Sequence, residues 1–185
     1  MAVTLYKWTL DRYHAAIDAG LFEDQAIELL RGDLVVMAPE REPHACYSSV
    51  GANYLRQRLG HQGAVRETKP ITLPNDSEPV PDVAIVQPPL ERYLEHHPYP
   101  EDIFWVIEYS NTTLAKDLGE KKEAYAEAGL QEYWVVDLKH RQLKVFRDLA
   151  QGQYQTELTL TEGNLSLVAF PDMAIQVRRL FSAGI

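Results

Sequence analysis

The segment that most constrains the fold is Phe-Trp-Val-Ile-Glu-Tyr-Ser at residues 104–110, which is apolar apart from one carboxylate near its end. Apolar side chains on both faces are typical of a central strand that is covered on both sides. In strand alternation, Glu108 shares a face with Val106 and Ser110. Because an unpaired buried carboxylate is costly, Glu108 predicts a cation, a proton or a hydrogen-bond network beside it.

Asp82 is a second carboxylate among apolar neighbours, in a strand predicted at residues 80–86. If this strand pairs antiparallel with residues 102–110, the start of the first lies beside the end of the second, and Asp82 faces Glu108. Two carboxylates that close repel, which raises the pKa of one of them unless a cation lies between them. Hard oxygen ligands of this kind suit Mg²⁺ or Mn²⁺.

Polar residues at 111–113 predict the start of a helix that ends near residue 128, before Gly129. Asp117, Lys121 and Tyr125 recur every four residues and therefore lie on one face of it. The simplest interpretation is a weak surface ion pair between the aspartate and the lysine. If this face instead packs on the sheet, Lys121 would bring its ammonium to the predicted ion.

The other periodic segments predict a mixed α/β (α+β) fold in one domain spanning residues 1–185. Helices are expected at residues 10–19 and 44–59, and strands at 26–30, 34–37, 64–73 and 133–138. Antiparallel strands are expected after them, at residues 142–147, 154–160, 165–168 and 174–177. Glu28 lies inside the first of these strands, where it either faces solvent or contributes to the site.

The composition excludes several classes of protein. No apolar run approaches the ~18 residues that span a bilayer, and residues 1–10 lack the features of a signal peptide, so we expect a cytoplasmic protein with no membrane contact. Cys46 is the only cysteine, which excludes disulfides within the chain and zinc sites built on several cysteines. The net charge of -9 argues against a surface that coats nucleic acid, although a local groove remains compatible with it.

Several short motifs together resemble the Uma-two family of restriction endonucleases, which belongs to the PD-(D/E)XK nuclease superfamily. The motifs are Glu-Leu-Leu-Arg-Gly-Asp-Leu at 28–34, Met-Ala-Pro at 37–39 with His44, Pro-Asp-Val at 81–83, Val-Ile-Glu-Tyr-Ser at 106–110, Asp117, Lys121, Tyr125 and Gly129, and Glu-Tyr-Trp at 132–134 with Asp137. The resemblance implies a restriction-endonuclease-like core, in which helices flank a mixed central sheet. His44, Asp117 and Tyr125 are equally well explained by packing or buried hydrogen bonds.

The resemblance also implies a set of site residues. Asp82 and Glu108 would be the acidic pair that binds the metal ion, and the backbone carbonyl of Tyr109 would be a further ligand. The superfamily usually has a lysine where this chain has Ser110. In related nucleases a glutamate from an early element joins the metal ligands, and Glu28 is the corresponding candidate.

The catalytic lysine would therefore lie on the following helix. The resemblance points to Lys121, with Lys122 and Lys116 as alternatives.

These observations predict an endonuclease that hydrolyses DNA by attack of a water bound to Mg²⁺, or to Mn²⁺ as a substitute. The alternative is a catalytically inactive module of the same fold that binds nucleic acid or protein. RNA or another phosphodiester would suit the same chemistry. A homodimer is compatible with cutting both strands, and the C-terminal strands could pair at their edges.

Overall fold

The computed structural model describes residues 4–182 and centres on a six-stranded mixed sheet. The first three residues of the amino-terminal segment considered above lie outside the described residues. In order across the sheet the strands are β3 (Ala64–Glu67), β4 (Val83–Val86), β5 (Ile103–Ser110), β6 (Tyr133–Asp137), β7 (Gln142–Ala150) and β8 (Gln153–Leu160). Only the pair β5 and β6 is parallel. The predicted mixed sheet is therefore confirmed.

The remaining elements flank this sheet or extend it. The helices are α1 (Leu10–Asp18), α2 (Glu42–Leu59), α3 (Leu114–Lys116) and α4 (Lys122–Glu127), with a π-helical turn, Asp117–Lys121, joining the last two, and 3-10 turns at Leu90–Tyr93, Pro100–Asp102 and Val177–Leu180. The two small hairpins are β1 (Ile27–Leu30) with β2 (Asp33–Val36), and β9 (Asn164–Ser166) with β10 (Ala174–Gln176). The added antiparallel strands near the carboxyl end are thus confirmed. Among the described residues, no helix has both the length and the apolar character needed to cross a bilayer.

β5 lies between two hydrophobic cores, as its apolar pattern predicted. Trp105, Ile107 and Tyr109 belong to the core that α2 covers. Val106 points to the opposite core, which contains Tyr125 of α4. Since Glu108 lies on the same side of the strand as Val106, its carboxylate faces the helical segment of residues 114–127.

Two strands are shorter than their sequence patterns predicted, and their ends define the site. The strand expected at residues 64–73 ends at Glu67, because Thr68 adopts a positive φ of 49° and Pro70 follows. The strand expected at residues 80–86 begins at Val83, since Pro81 has no N–H to donate to a neighbour. Asp82 therefore lies in the turn before β4, where its carbonyl accepts a hydrogen bond from the Thr68 amide at 3.0 Å.

The surface ion pair between Asp117 and Lys121, the simplest interpretation of the sequence, is wrong, because the structure buries this face of the helical segment. Asp117, Lys121 and Tyr125 are all buried. The Asp117 carboxylate accepts hydrogen bonds from the hydroxyls of Ser110 and Thr113, at 2.6 and 2.7 Å, instead of pairing with the lysine. The π-helical turn between α3 and α4 is a distortion that is common at functional sites.

Candidate active site

A cleft of about 560 Å³ opens where β4 begins and β5 ends. Its other wall is formed by the chain after β2 and the first turn of α2. The predicted site residues in its lining are Glu28, Asp82, Glu108, Tyr109, Lys116 and Lys121. The fold thus brings together side chains from a hairpin, a turn, a central strand and a helix.

Asp82 stands beside the end of β5, as the predicted strand pairing required. Val83 pairs with Ile107, so Asp82 comes next to Glu108 in the antiparallel register. The Asp82 Oδ2 atom accepts hydrogen bonds from the Tyr109 amide at 2.6 Å and from His44 Nε2 at 3.1 Å. Its Oδ1 atom makes no hydrogen bond within residues 4–182, and the side chain is partly exposed to the cleft.

Glu108 is buried, and one of its oxygens is fully engaged. Its Oε1 atom accepts hydrogen bonds from Lys121 Nζ at 2.8 Å and from the Tyr125 hydroxyl at 2.7 Å. Its Oε2 atom makes none with any described residue. Burial raises the pKa of Glu108 to about 8, with Asp82 and Asp117 adding to the increase and Lys121 opposing it.

Glu28 lies inside this network and is only 1% exposed, so the solvent-facing alternative is wrong. Lys116 Nζ lies 2.5 Å from its Oε1 atom, and Lys121 Nζ lies 3.5 Å from its Oε2 atom. The Val80 amide donates a further hydrogen bond to Oε2 at 3.0 Å. Although burial acts in the opposite direction, the two lysines lower the pKa of Glu28 below its ordinary value.

The three candidate lysines occupy different environments. The Lys121 side chain is 6% exposed and that of Lys116 is 27% exposed. Lys122 Nζ instead lies 5.1 Å from the centre of the Phe146 ring. Burial alone would lower the pKa of Lys121, but Glu108 and Glu28 raise it, so this lysine keeps its ammonium. It is the lysine that contacts both buried glutamates.

Sequence reasoning missed Glu40 and undervalued His44, which both line the cleft, and it also undervalued Tyr125, which contacts Glu108. Glu40 Oε1 lies 3.7 Å from His44 Nδ1, and their four-residue spacing just before a helix was the available signal. For His44 and Tyr125 the sequence left packing and buried hydrogen bonds equally open, and the structure has hydrogen bonds from His44 to Asp82 and from the Tyr125 hydroxyl to Glu108. Nothing in the sequence pattern indicates such contacts, because they join elements far apart in the chain.

The donor set fits a hard divalent cation. Asp82 comes one residue before Val83, the partner of Ile107, and so lies beside Glu108; each carboxylate has one oxygen without a hydrogen bond from the part of the chain described. Carboxylate oxygens in small number, with room for water and phosphate oxygens, are the ligands that Mg²⁺ prefers. The cleft gives them access to solvent.

Glu108 makes the stability of the metal-free protein dependent on pH. Its folded-state pKa of about 8 exceeds the ordinary 4.5, so between these values the folded chain holds a proton that the unfolded chain releases. The resulting stabilisation is full below about pH 4.5 and is lost as the pH rises toward 8. Urea unfolding measures this loss. As the pH rises from about 5 to 8, the free energy of unfolding of the wild type should fall by a few kcal/mol more than that of Glu108→Gln. Parallel pH profiles for the two proteins would contradict this assignment.

Comparisons with known proteins identify the family and support the fold. The family model Uma2, described as "Putative restriction endonuclease", matches residues 10–178. A solved structure described as a putative nuclease belonging to DUF820, from Anabaena variabilis ATCC 29413, superposes with a TM-score of 0.67 at 15% identity, covering 85% of this chain and 90% of that one. A comparison with curated proteins gave no match. At this identity the solved structure supports the fold, whereas the family match spans most of the chain and places the protein in the Uma2 family.

Proposed function

We propose that this protein is a divalent-metal-dependent endonuclease that hydrolyses phosphodiester bonds in DNA. The observation that carries the proposal is the convergence of Asp82, Glu108 and Lys121 on one cleft. Asp82 and Glu108 would hold Mg²⁺, or Mn²⁺ as a substitute, with Glu28 and the carbonyl of Tyr109 as further ligands. When bound, such an ion supplies a Lewis acid and lowers the pKa of coordinated water.

The lysines would have separate roles in this reaction. Lys121 is fixed by Glu108 at 2.8 Å and Glu28 at 3.5 Å, so its ammonium is oriented before substrate arrives. An ammonium held in this way stabilises the negative charge that builds on the phosphoryl oxygens during hydrolysis. Lys116 is more exposed and contacts only Glu28 among the acidic residues described, which suits it to contact a phosphate of the substrate.

DNA is the proposed substrate because the family and the solved structure are both described in terms of nuclease activity. The net charge of -9 favours recognition confined to the cleft over broad phosphate contacts. The homodimer expected from the sequence stays a prediction, and sedimentation of the purified chain with and without duplex DNA would test it.

The proposal is tested by incubating the protein with supercoiled plasmid and Mg²⁺. Wild type should nick the plasmid, chelation of the ion should stop the reaction, and Asp82→Ala with Glu108→Ala should reduce the rate by at least about 10³-fold. Nicking that survives the double substitution would remove the assignment. Single-stranded RNA of matching sequence in a parallel reaction distinguishes the two substrates.

Glu78→Gln is the matched control for this experiment. Glu78 is also a buried carboxylate, and it accepts hydrogen bonds from Thr72 at 2.8 Å and His14 at 2.9 Å, but it does not line the cleft. This substitution should leave nicking unchanged.

A catalytically inactive binding module is the alternative function. It is favoured by the hydroxyl of Ser110 at the usual position of the lysine, where Ser110 Oγ donates to Asp117 at 2.6 Å. Calorimetric titration with Mn²⁺ separates the two functions. A nuclease should bind the ion in a manner that depends on Glu108, and an inactive module should not.

A further inference from the structure

His44 contacts the Oδ2 atom of Asp82 and leaves the Oδ1 atom of this carboxylate without a hydrogen bond from the described residues. It lies in the first turn of α2, and its ring packs edge-on against the Tyr109 ring with the centroids 6.4 Å apart. Its Nε2 atom lies 3.1 Å from Asp82 Oδ2, and its side chain is 17% exposed.

Asp82 needs support from other elements because it precedes β4 and has no partner in the sheet ladder. Its Oδ2 atom accepts hydrogen bonds from two elements at once, the Tyr109 amide of β5 and the His44 ring of α2. In this arrangement Oδ2 accepts both hydrogen bonds, and the ring hydrogen of His44 resides on Nε2. Two donors on one oxygen fix the carboxylate plane, and Oδ1 remains for a ligand.

A second carboxylate lies near the far side of the His44 ring. His44 Nδ1 lies 3.7 Å from Glu40 Oε1, and this nitrogen is buried without a hydrogen bond to any described residue. Glu40, His44 and Asp82 therefore form one cluster, with one ligand atom of each lying within 4.8 Å of the others, and it includes the carboxylate proposed to bind metal. Groups placed behind metal ligands in this way orient them and typically change metal affinity by 10–100-fold when removed.

We propose that His44 is a positioning residue that holds Asp82 in its metal-binding orientation, with Glu40 steadying the His44 ring. This inference rests on the proposed function, because it assigns Asp82 to the metal ion. His44 acts through Asp82 and does not touch the ion or the substrate.

Two variants of His44 separate hydrogen bonding from packing. His44→Phe keeps an aromatic ring against Tyr109 but has no donor for Asp82. His44→Gln keeps an N–H at about the position of Nε2. Calorimetric titration with Mn²⁺ should show that the dissociation constant rises by about 10–100-fold in the phenylalanine variant and returns close to the wild-type value in the glutamine variant.

Plasmid nicking by the same variants gives a second readout. A residue that acts only by orienting a metal ligand should be dispensable once the ion is saturating, so His44→Phe should approach the wild-type rate at high Mn²⁺. A rate that stays low at saturating Mn²⁺ would overturn the positioning role, because it would require His44 to act on the substrate itself. Thermal melts of both variants check that the chain remains folded.

The remaining outcomes distinguish this inference from the function on which it rests. If wild type binds no Mn²⁺, or if Asp82→Ala binds it as well as wild type does, the proposed function fails and this inference fails with it. If Asp82→Ala abolishes binding while His44→Phe leaves the dissociation constant unchanged, only the role of His44 is overturned. The titration could also show that His44→Phe binds one ion fewer than wild type and keeps the same affinity for the ion that remains. That result would overturn the positioning role, because His44 would then be a ligand of a second ion.

Discussion

Replacing Lys121 by methionine is expected to reduce plasmid nicking by about 10³-fold, the scale on which removal of one preorganised charge acts. The variant keeps the length of the side chain but removes the ammonium that lies 2.8 Å from Glu108. It also leaves Glu28 buried with only Lys116 as a cationic partner among the described residues. The measurement is the initial nicking rate at saturating Mg²⁺.

Loss of this cation should also destabilise the fold, because breaking a buried ion pair from one side costs about 3–5 kcal/mol. Urea unfolding of the variant shows whether it is folded under the conditions of the nicking experiment. A folded Lys121→Met protein that nicks at the wild-type rate would contradict the assignment.

The neighbouring lysines provide controls for Lys121. Lys122→Met should leave nicking unchanged, since its ammonium lies over the Phe146 ring and does not line the cleft. Lys116→Met should mainly raise KM, because the proposed role of Lys116 is to bind a substrate phosphate. If Lys116→Met instead abolished turnover while Lys121→Met did not, the two roles would have to be exchanged.

Gly51→Ala is expected to destabilise the protein strongly although alanine is the better helix former. A Cβ atom at Gly51 would lie 1.8 Å from the Tyr109 hydroxyl oxygen and 3.0 Å from Cζ of the same ring. Overpacking of a buried contact costs about 3 kcal/mol, whereas helix propensity returns at most about 1 kcal/mol. Urea unfolding should therefore show a net loss of about 2 kcal/mol.

Tyr109→Phe provides the test of this explanation. The Tyr109 hydroxyl is buried and has no hydrogen-bond partner in the described part of the chain, so its removal alone should cost little. In the phenylalanine background Gly51→Ala loses its shortest contact, and the two substitutions should couple by about 2 kcal/mol. Additive effects would show that the clash is not the cause.

A matched glycine distinguishes the clash from a general effect of Gly→Ala substitution. A Cβ atom at Gly119 would meet nothing within 4 Å, so Gly119→Ala should be neutral or stabilising.

Part of the site could be predicted from the sequence because burial leaves a local pattern. Apolar residues on both faces of β5 indicated a central strand. The assumption that β4 pairs antiparallel with β5 then led to the observed register, in which Val83 pairs with Ile107. The outer limits of β3 and β4 were not predictable from hydrophobicity, since Thr68 and Pro81 end the strands through backbone geometry and a missing donor.

The network around the acidic pair could not be predicted in the same way. A single carboxylate in a four-residue strand is compatible with either face, so the burial of Glu28 depends on lysines 88 and 93 residues further along, Lys116 and Lys121. The contact between His44 and Asp82 joins residues 38 positions apart. Such contacts are set by tertiary packing, which leaves no periodic signal in the chain.

The π-helical turn at Asp117–Lys121 has a consequence for which insertions and deletions the chain can accept. In a regular α-helix, side chains five positions apart diverge by about 140°. Lys116 and Lys121 are separated by that interval, yet both reach the carboxylate of Glu28. If the same five-residue interval were wound as a regular α-helix, one ammonium would turn away from Glu28, whereas deleting one residue would leave the lysines four positions apart and only about 40° out of line. The π-helical turn therefore accommodates one extra residue between the two lysines, and we expect this position to accept a one-residue deletion better than a one-residue insertion.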